Sequence, residues 1–460
     1  MKKYLLLSVL ATCLFTSSLY AQVPPGLSAR LQTVLDSVCN RLHIKGTSAA
    51  VLIPGVGTWK GANGVSHAGQ PITTDMMFGI GSNTKTYVAA LMLQLEERGQ
   101  LSIDDTIGRW IQNQPNISGA ITIRQLLNHT SGLFDYTQAP HWVDSVFADV
   151  TRIWQPEEVY QFIGAPYFTP GLKHDYCNTN YLLAGLIIKQ VLNQSAGTAL
   201  RSSIFTPQSL NNTIFFPEQS TSLTIPHAWS YKFTGSLEDL TSTGYSHNAL
   251  FSMASTAGCI MTTAEENAQF WHKLFSGQII NSNSMAQMRT FVGIPGTSLA
   301  TYGLGIYRYR NFNGRIMYSH GGTNIGFINE NAVDSASGVV ITALTNQDSI
   351  GNNTLLNNVV RALHKVMTID APPTAIPQAN AVTGIRLYPN PATTVLHIHN
   401  EQDDMVCILT DITGKTAITM PLKKGINDVP VAQLNNGFYT ATFLAADGLR
   451  VSHQPLLIQH

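Results

Sequence analysis

The chain has 460 residues, sets 27 Lys and Arg against 27 Asp and Glu, and is only 12% charged. That length leaves room for more than one domain and a substantial core. The balance gives no basic stripe for nucleic acid and no electrostatic hold on a membrane surface, so neutral substrates are as open as charged ones.

In chain order, Met1-Lys2-Lys3, an apolar run from Tyr4 to Ala11 and small residues up to Ala21 form the three parts of a secretory signal peptide over 1–21. An exported protein is expected, cleaved after Ala21. No later stretch is long and apolar enough to span a membrane. Leu27 to Leu42 has helical character, and Thr47 to Ile53 reads as a strand.

Met76 to Gly81 is a short apolar segment ending in glycines; Ser82-Asn83-Thr84-Lys85 follows, then an apolar run from Tyr87 that stops at Gly99. The run is a helix with a glycine stop. Three residues apart at its start, Ser82 and Lys85 fall on one face. A serine hydroxyl becomes a nucleophile only when something takes its proton, and a lysine whose pKa is lowered by burial or cations can do so. The spacing suggests a covalent serine hydrolase. The competing structural reading is a Ser-capped helix with a solvated Lys, although a cation in the first turn opposes the helix dipole.

Such a site also needs a proton shuttle for the leaving group and a hole for the oxyanion. Tyr176-Cys177-Asn178 places a phenol and an amide two residues apart, just before an apolar helix at Leu182 to Ile188. Tyr318-Ser319-His320-Gly321-Gly322-Thr323-Asn324 is the second candidate. Taken alone, Tyr176 reads as a packed aromatic and Asn178 as a helix cap. Cys177 should point away as an apolar filler, and His129 should fix a turn.

Gly338 to Thr345 reads as a buried strand and Leu355 to Val366 as a helix. Strands at both ends with helices between give an α+β domain over 22–370. Ala371 to Pro377 is proline-rich and opens a linker over 371–383. The tail, 384–460, has short alternating runs at Val395 to His399, Met405 to Leu409 and Phe438 to Phe443, punctuated by glycines; it is a small β-sandwich by pattern. Once the leader takes Cys13, the remaining Cys39, Cys177, Cys259 and Cys407 are scattered, forming neither a disulfide framework nor a zinc site. No histidine is followed by Glu, so the HExxH pattern is absent, and neither metal nor cofactor is assigned.

In order, Ser82xxLys85, Tyr176xAsn178 and His320-Gly321-Gly322 resemble the three motifs of the penicillin-recognising serine enzymes, in the branch of class C β-lactamases, D-alanyl-D-alanine carboxypeptidases and esterases. Supporting segments are Leu126 to Leu133, Ser255 to Thr262 and Tyr302 to Gly305, and the resemblance covers roughly 28–366. It implies an antiparallel sheet with flanking helices and a helical subdomain. It also implies Ser82 as acylating nucleophile, Lys85 as its proton acceptor and Tyr176 as a shuttle, ionised with help from Lys85. Asn178 would hydrogen-bond the substrate's acyl-side amide or fix Lys85. The N–H groups of Ser82 and Thr323 would form the oxyanion hole, with Gly322 letting a strand approach the substrate.

His320 stands where many members carry Lys, whose permanent charge meets a substrate carboxylate. A histidine is only partly charged at neutral pH. The resemblance therefore implies cleavage of an ester or amide (peptide) bond through a Ser82 acyl-enzyme. A D,D-carboxypeptidase or β-lactamase is the alternative within the enzymes, and a non-catalytic peptidoglycan-binding surface protein the alternative outside them. Ile385 to Ala392, Asp411 to Lys415 and Leu434 to Tyr439 resemble the C-terminal sorting domain of type IX secretion substrates. That implies a Bacteroidetes-type bacterium, the type IX machinery as a partner, and secretion or display at the cell surface.

Overall fold

The computed structural model describes residues 23–231, 235–348, 354–370, 385–401, 405–411, 416–444 and 450–460. The expected leader (1–21) and linker (371–383) lie outside the described residues.

Helix α1 (Pro25–Arg41) is followed by β1 (Gly46–Ile53) and β2 (Gly57–His67), then by the edge strand β3 (Gln70–Pro71). Far along the chain come β4 (Val292–Gly293), β5 (Ala300–Tyr302), β6 (Tyr307–Phe312), β7 (Arg315–Ser319), β8 (Gly322–Asn324), β9 (Phe327–Asp334) and β10 (Val340–Thr345). They make one ten-stranded sheet in the order β3-β2-β1-β10-β9-β7-β6-β5-β4, with β8 paired to β9 off this path. Every pairing is antiparallel; β1 meets β10 with Ala49 opposite Ala343, and β9 meets β10 with Asn331 opposite Thr342. The first and last strands of the domain are thus neighbours at its centre.

Period-two alternation decides what covers each face. Ala49, Val51 and Ile53 of β1 pack with Leu31, Leu35 and Val38 of α1 and with Val359, Val360 and Leu363 of α5 (Thr354–Asp370). Ala50 and Leu52 enter the larger core on the opposite face. That core holds α2 (Thr84–Glu97), α3 (Asn178–Leu192) and α4 (Ala264–Phe275). Strands covered on both sides read as unbroken apolar runs, which is why Gly338 to Thr345 looks buried in the sequence alone.

Helix α2 has no exposed face before its last turn: every residue from Thr84 to Leu95 is buried. A helix so enclosed, apolar from Tyr87 to Leu93, belongs inside a large core. It ends where Gly99 takes φ +66°, the left-handed turn expected of a glycine stop. Helix α3 is buried from Thr179 to Ile188 and ends at Asn193, also left-handed.

In the tail, Arg386–Tyr388, Val395–Asn400 and Gly425–Pro430 form a three-stranded sheet. Thr416–Leu422, Met405–Asp411, Gly437–Leu444 and Arg450–Ile458 form a four-stranded one. Leu396, Ile398 and Val429 of the first share a core with Cys407, Leu409, Phe443 and Leu456 of the second, which makes the expected sandwich. Cys39, Cys177, Cys259 and Cys407 are buried free thiols. No helix among the described residues is long and apolar enough to cross a membrane.

Candidate active site

Ser82 sits in a single 3-10 turn, Gly81–Asn83, that feeds directly into α2. Gly81 makes the turn possible, because it takes φ +50° and a Cβ on it would lie 2.5 Å from the Thr323 nitrogen. Asn83 points the other way and anchors the turn: its amide nitrogen donates to Asn267 Oδ1 at 3.0 Å, and its oxygen accepts from Trp271 Nε1 at 3.2 Å.

Lys85 lies one residue into α2 and is fully buried, so the solvated-Lys reading fails. Its ammonium donates to Ser82 Oγ at 3.0 Å, Asn178 Oδ1 at 2.9 Å and the Ala257 carbonyl at 2.7 Å. All three of its protons are engaged. Burial brings the Lys85 pKa down to about 7, against the opposing pull of Asp135. Near neutral pH a large share of Lys85 is therefore the free amine, which can accept the Ser82 proton across the same 3.0 Å contact.

Asn178 opens α3. Asp135 orients it by accepting from its backbone N–H at 3.1 Å and its Nδ2 at 3.0 Å, which leaves Oδ1 to face Lys85. The other Asp135 oxygen accepts from the backbone N–H and the hydroxyl of Thr137, at 3.0 and 2.9 Å.

The Tyr176 ring stands 4.9 Å from Lys85 Nζ, and its buried hydroxyl makes no hydrogen bond of good geometry, only a loose contact with Ser82. Burial pushes the phenol well above its usual range. The expectation that Lys85 would bring Tyr176 to ionise near neutrality is not met in the free protein, because burial outweighs the lowering by the Ser82 contact. Tyr176 rests as a neutral phenol and Lys85 is the available base.

His129 packs 4.2 Å from the Tyr176 ring, with φ +59°. Its Nδ1 accepts from the Cys177 N–H at 3.2 Å and faces Asn180 Nδ2 at 3.0 Å. Burial, then the Lys85 charge, holds it neutral. It fixes the Tyr176 segment as expected of a structural histidine, and Cys177 is a buried thiol pushed up to about 12 by burial.

His320 and Gly322 depart from expectation. His320 is 1% exposed and, like Tyr176, does not line the cavity beside Ser82; its Nδ1 donates to the Gly321 carbonyl at 2.7 Å and its Nε2 accepts from Tyr302 Oη at 2.9 Å. Burial and the Lys85 charge push its pKa down to about 3, so it is neutral rather than partly charged. Gly322 approaches the Ser82 turn and not a substrate: a Cβ there would lie 2.0 Å from the Ile80 carbonyl oxygen and 2.5 Å from the Ser82 nitrogen. That approach is what brings Thr323 beside Ser82. Behind them Glu330 is buried, accepts from the Ser319 hydroxyl at 2.8 Å, and has its carboxyl pushed up to about 7 by burial.

Ser82, Asn178 and Thr323 open onto a cavity of about 460 Å³. Its apolar wall is Tyr136, Trp142, Leu250 and Ile325, and Asp348 and Tyr231 close another side. The arrangement holds a serine, a base, a phenol and a backbone pocket beside Thr323 in one place, which is the equipment of acyl transfer. The motifs do not disclose Asp135 or Asp348, which have no fixed spacing from them. Ala257 lies within the Ser255 to Thr262 segment, which the resemblance flagged without a role.

Residues 31–364 match the family model described as Beta-lactamase, and residues 386–456 match the one described as Secretion system C-terminal sorting domain. Penicillin-binding protein 4 of Amycolatopsis lactamdurans is 30% identical over 207 residues, 42% of this chain and 50% of that protein. The chain spans about half the length of this curated relative. A D-stereospecific amidohydrolase from Streptomyces sp. has a similar structure, with TM-score 0.64 and 26% identity over 73% of this chain and 98% of that one. D-amino acid amidase from Ochrobactrum anthropi SV3, solved with L-phenylalanine amide, gives TM-score 0.66 and 25% identity over 74% and 98%.

Proposed function

The chain belongs to the beta-lactamase family of serine hydrolases, and on that premise we propose that it cleaves an amide or ester bond of a small substrate through an acyl-enzyme on Ser82. The observation that carries this reading is the 3.0 Å contact between Lys85 Nζ and Ser82 Oγ, with the lysine pKa at about 7. Neutral Lys85 takes the Ser82 proton as Oγ attacks the carbonyl carbon. The Ser82 and Thr323 N–H groups receive the oxyanion, and Tyr176 gives its proton to the departing amine or alcohol and regains one through Lys85. Deacylation repeats the steps with water as nucleophile.

His320 favours amide and ester substrates over a D,D-carboxypeptidase or β-lactamase reading. Buried and neutral, it supplies no charge for a substrate carboxylate. The Ochrobactrum anthropi neighbour is named for D-amino acid amides, so these head the substrate panel. We further assign the catalytic domain to 22–370 and the sorting tail to 384–460. The sorting domain directs the protein to the cell surface or to secretion through the type IX machinery. Labelling by a fluorophosphonate probe that is lost in Ser82→Ala, with turnover of p-nitrophenyl esters or amino acid amides, tests the reading. A folded protein that takes no acylating probe refutes it.

A further inference from the structure

Asp348 is the one charged side chain among the described residues that line the Ser82 cavity. It is 8% exposed. Its Oδ1 accepts from the Tyr231 N–H at 3.0 Å, and its Oδ2 accepts from the Ser230 hydroxyl and from the Gly326 N–H at 3.2 Å. All three donors are neutral, so they hold the carboxylate in place without cancelling its charge. Among the described residues no cation pairs with it. Two carboxylate oxygens offer roughly four acceptor sites, and three are used. A buried anion without a counter-ion is costly, and a cation brought by a ligand relieves that cost.

The rest of the cavity agrees. His320 is neutral and outside the wall, the Lys85 protons are spent on Ser82, Asn178 and Ala257, and no Lys or Arg among the described residues lines the space. Among the described residues a substrate carboxylate meets no fixed positive charge there, whereas a substrate ammonium meets Asp348. Tyr136, Trp142 and Leu250 leave an apolar wall for a side chain.

We infer that Asp348 is the specificity determinant of this site and selects amides and esters that carry a free, protonated amino group, such as amino acid amides and short peptides with a free amino end. The inference rests on the hydrolase reading above.

The experiment pairs each amine-bearing amide or ester with its N-acetylated form, and compares kcat/KM for the wild type and Asp348→Asn on full-length protein, with active sites counted by fluorophosphonate labelling. The wild type should prefer the free amine. In Asp348→Asn the preference should fall about tenfold to a hundredfold, the range for one hydrogen bond to a charged group. Because the preference is a ratio within one preparation, partial misfolding does not change it. Equal losses on both substrates would make Asp348 a brace for the Gly326 turn and overturn the inference, as would a wild type indifferent to acetylation. Hydrolysis of a neutral p-nitrophenyl ester serves as the reference. If the ester is turned over without amine preference, only the Asp348 inference fails; if nothing is turned over or labelled, the hydrolase reading fails and takes the inference with it.

Discussion

Asp135 Oδ2 accepts from both the backbone and the side-chain amide of Asn178, and this double contact turns the Asn178 oxygen toward Lys85. The Asp135 charge also raises the Lys85 pKa against the dominant lowering by burial. Asp135→Asn removes that support, so the Lys85 pKa should fall. Since Lys85 must be neutral to accept a proton, activity rises with pH through its pKa, and the acid limb of kcat/KM should move below its wild-type position near 7. Turnover should drop at the same time, because a freed Asn178 amide can present nitrogen to the lysine. A pH–rate profile reads both effects, and an acid limb that stays put or moves upward contradicts the assignment.

Tyr176→Phe separates chemistry from folding. The buried hydroxyl makes no hydrogen bond of good geometry in the free protein and only a loose contact with Ser82, so its removal gives up little and lifts the cost of a poorly satisfied buried group. The thermal midpoint should hold or rise while kcat falls by about 10²-fold or more, the scale of a lost general acid. Unchanged turnover in the variant would return Tyr176 to the role of a packed aromatic.

Glu330 makes the protein's stability depend on pH. Its folded pKa is raised from 4.5 to about 7, so the proton it holds contributes stability fully below 4.5 and ceases to contribute as pH rises through 7. Glu330→Gln keeps an acceptor for Ser319 and never ionises. Relative to wild type, its thermal midpoint should be unchanged in sign and size below pH 4.5 and should climb across the window from 4.5 to 7. A difference that is flat with pH would mean that the carboxyl is not held protonated by the fold.

Gly322→Ala tests the seat of Thr323. The added Cβ would meet backbone atoms of Ile80 and Ser82, which cannot swing aside as a side-chain tip could. A loss of about 1–3 kcal/mol is expected from such overpacking, together with a loss of acylation by fluorophosphonate, because the strand carrying Thr323 is forced away from Ser82. Calorimetry and labelling rates check the two parts.

The site was readable where chemistry depends on spacing along one element. Ser82 and Lys85 lie a turn apart at the start of α2, so local geometry announces them; Tyr176 and Asn178, at the start of α3, stand out only through the resemblance in motif order. The strands at residues 46–53 and 340–345 were legible because burial on two faces leaves an unbroken apolar run. The state of His320 is not legible locally, because its charge is set by burial and then by Lys85, and its ring is held by Tyr302, none of which is encoded near it. Asp135 and Asp348 were missed for the same reason: each acts through partners dozens of residues away. Tyr136, Trp142 and Leu250 come from helices of one or two turns, Tyr136–Gln138, Trp142–Ala148 and Asn248–Ala254, too short for a helical period to show in the sequence, and Tyr231 comes from a bend.

Every residue of α2 from Thr84 to Leu95 is enclosed in the core, whereas much of the cavity wall, Tyr136, Thr137, Trp142, Leu250 and Ala254, is donated by those short helices. The two parts are therefore exposed to different selection. A substitution in α2 disturbs the whole domain, and one at Trp142 or Leu250, which pack into the same core, costs stability as well as fit, whereas half-buried Thr137 and Tyr231 can change what fits at less cost. Descendants of such a protein can exchange substrates while their reaction stays the same, and a designer wishing to redirect the enzyme should randomise the wall and leave the helix untouched.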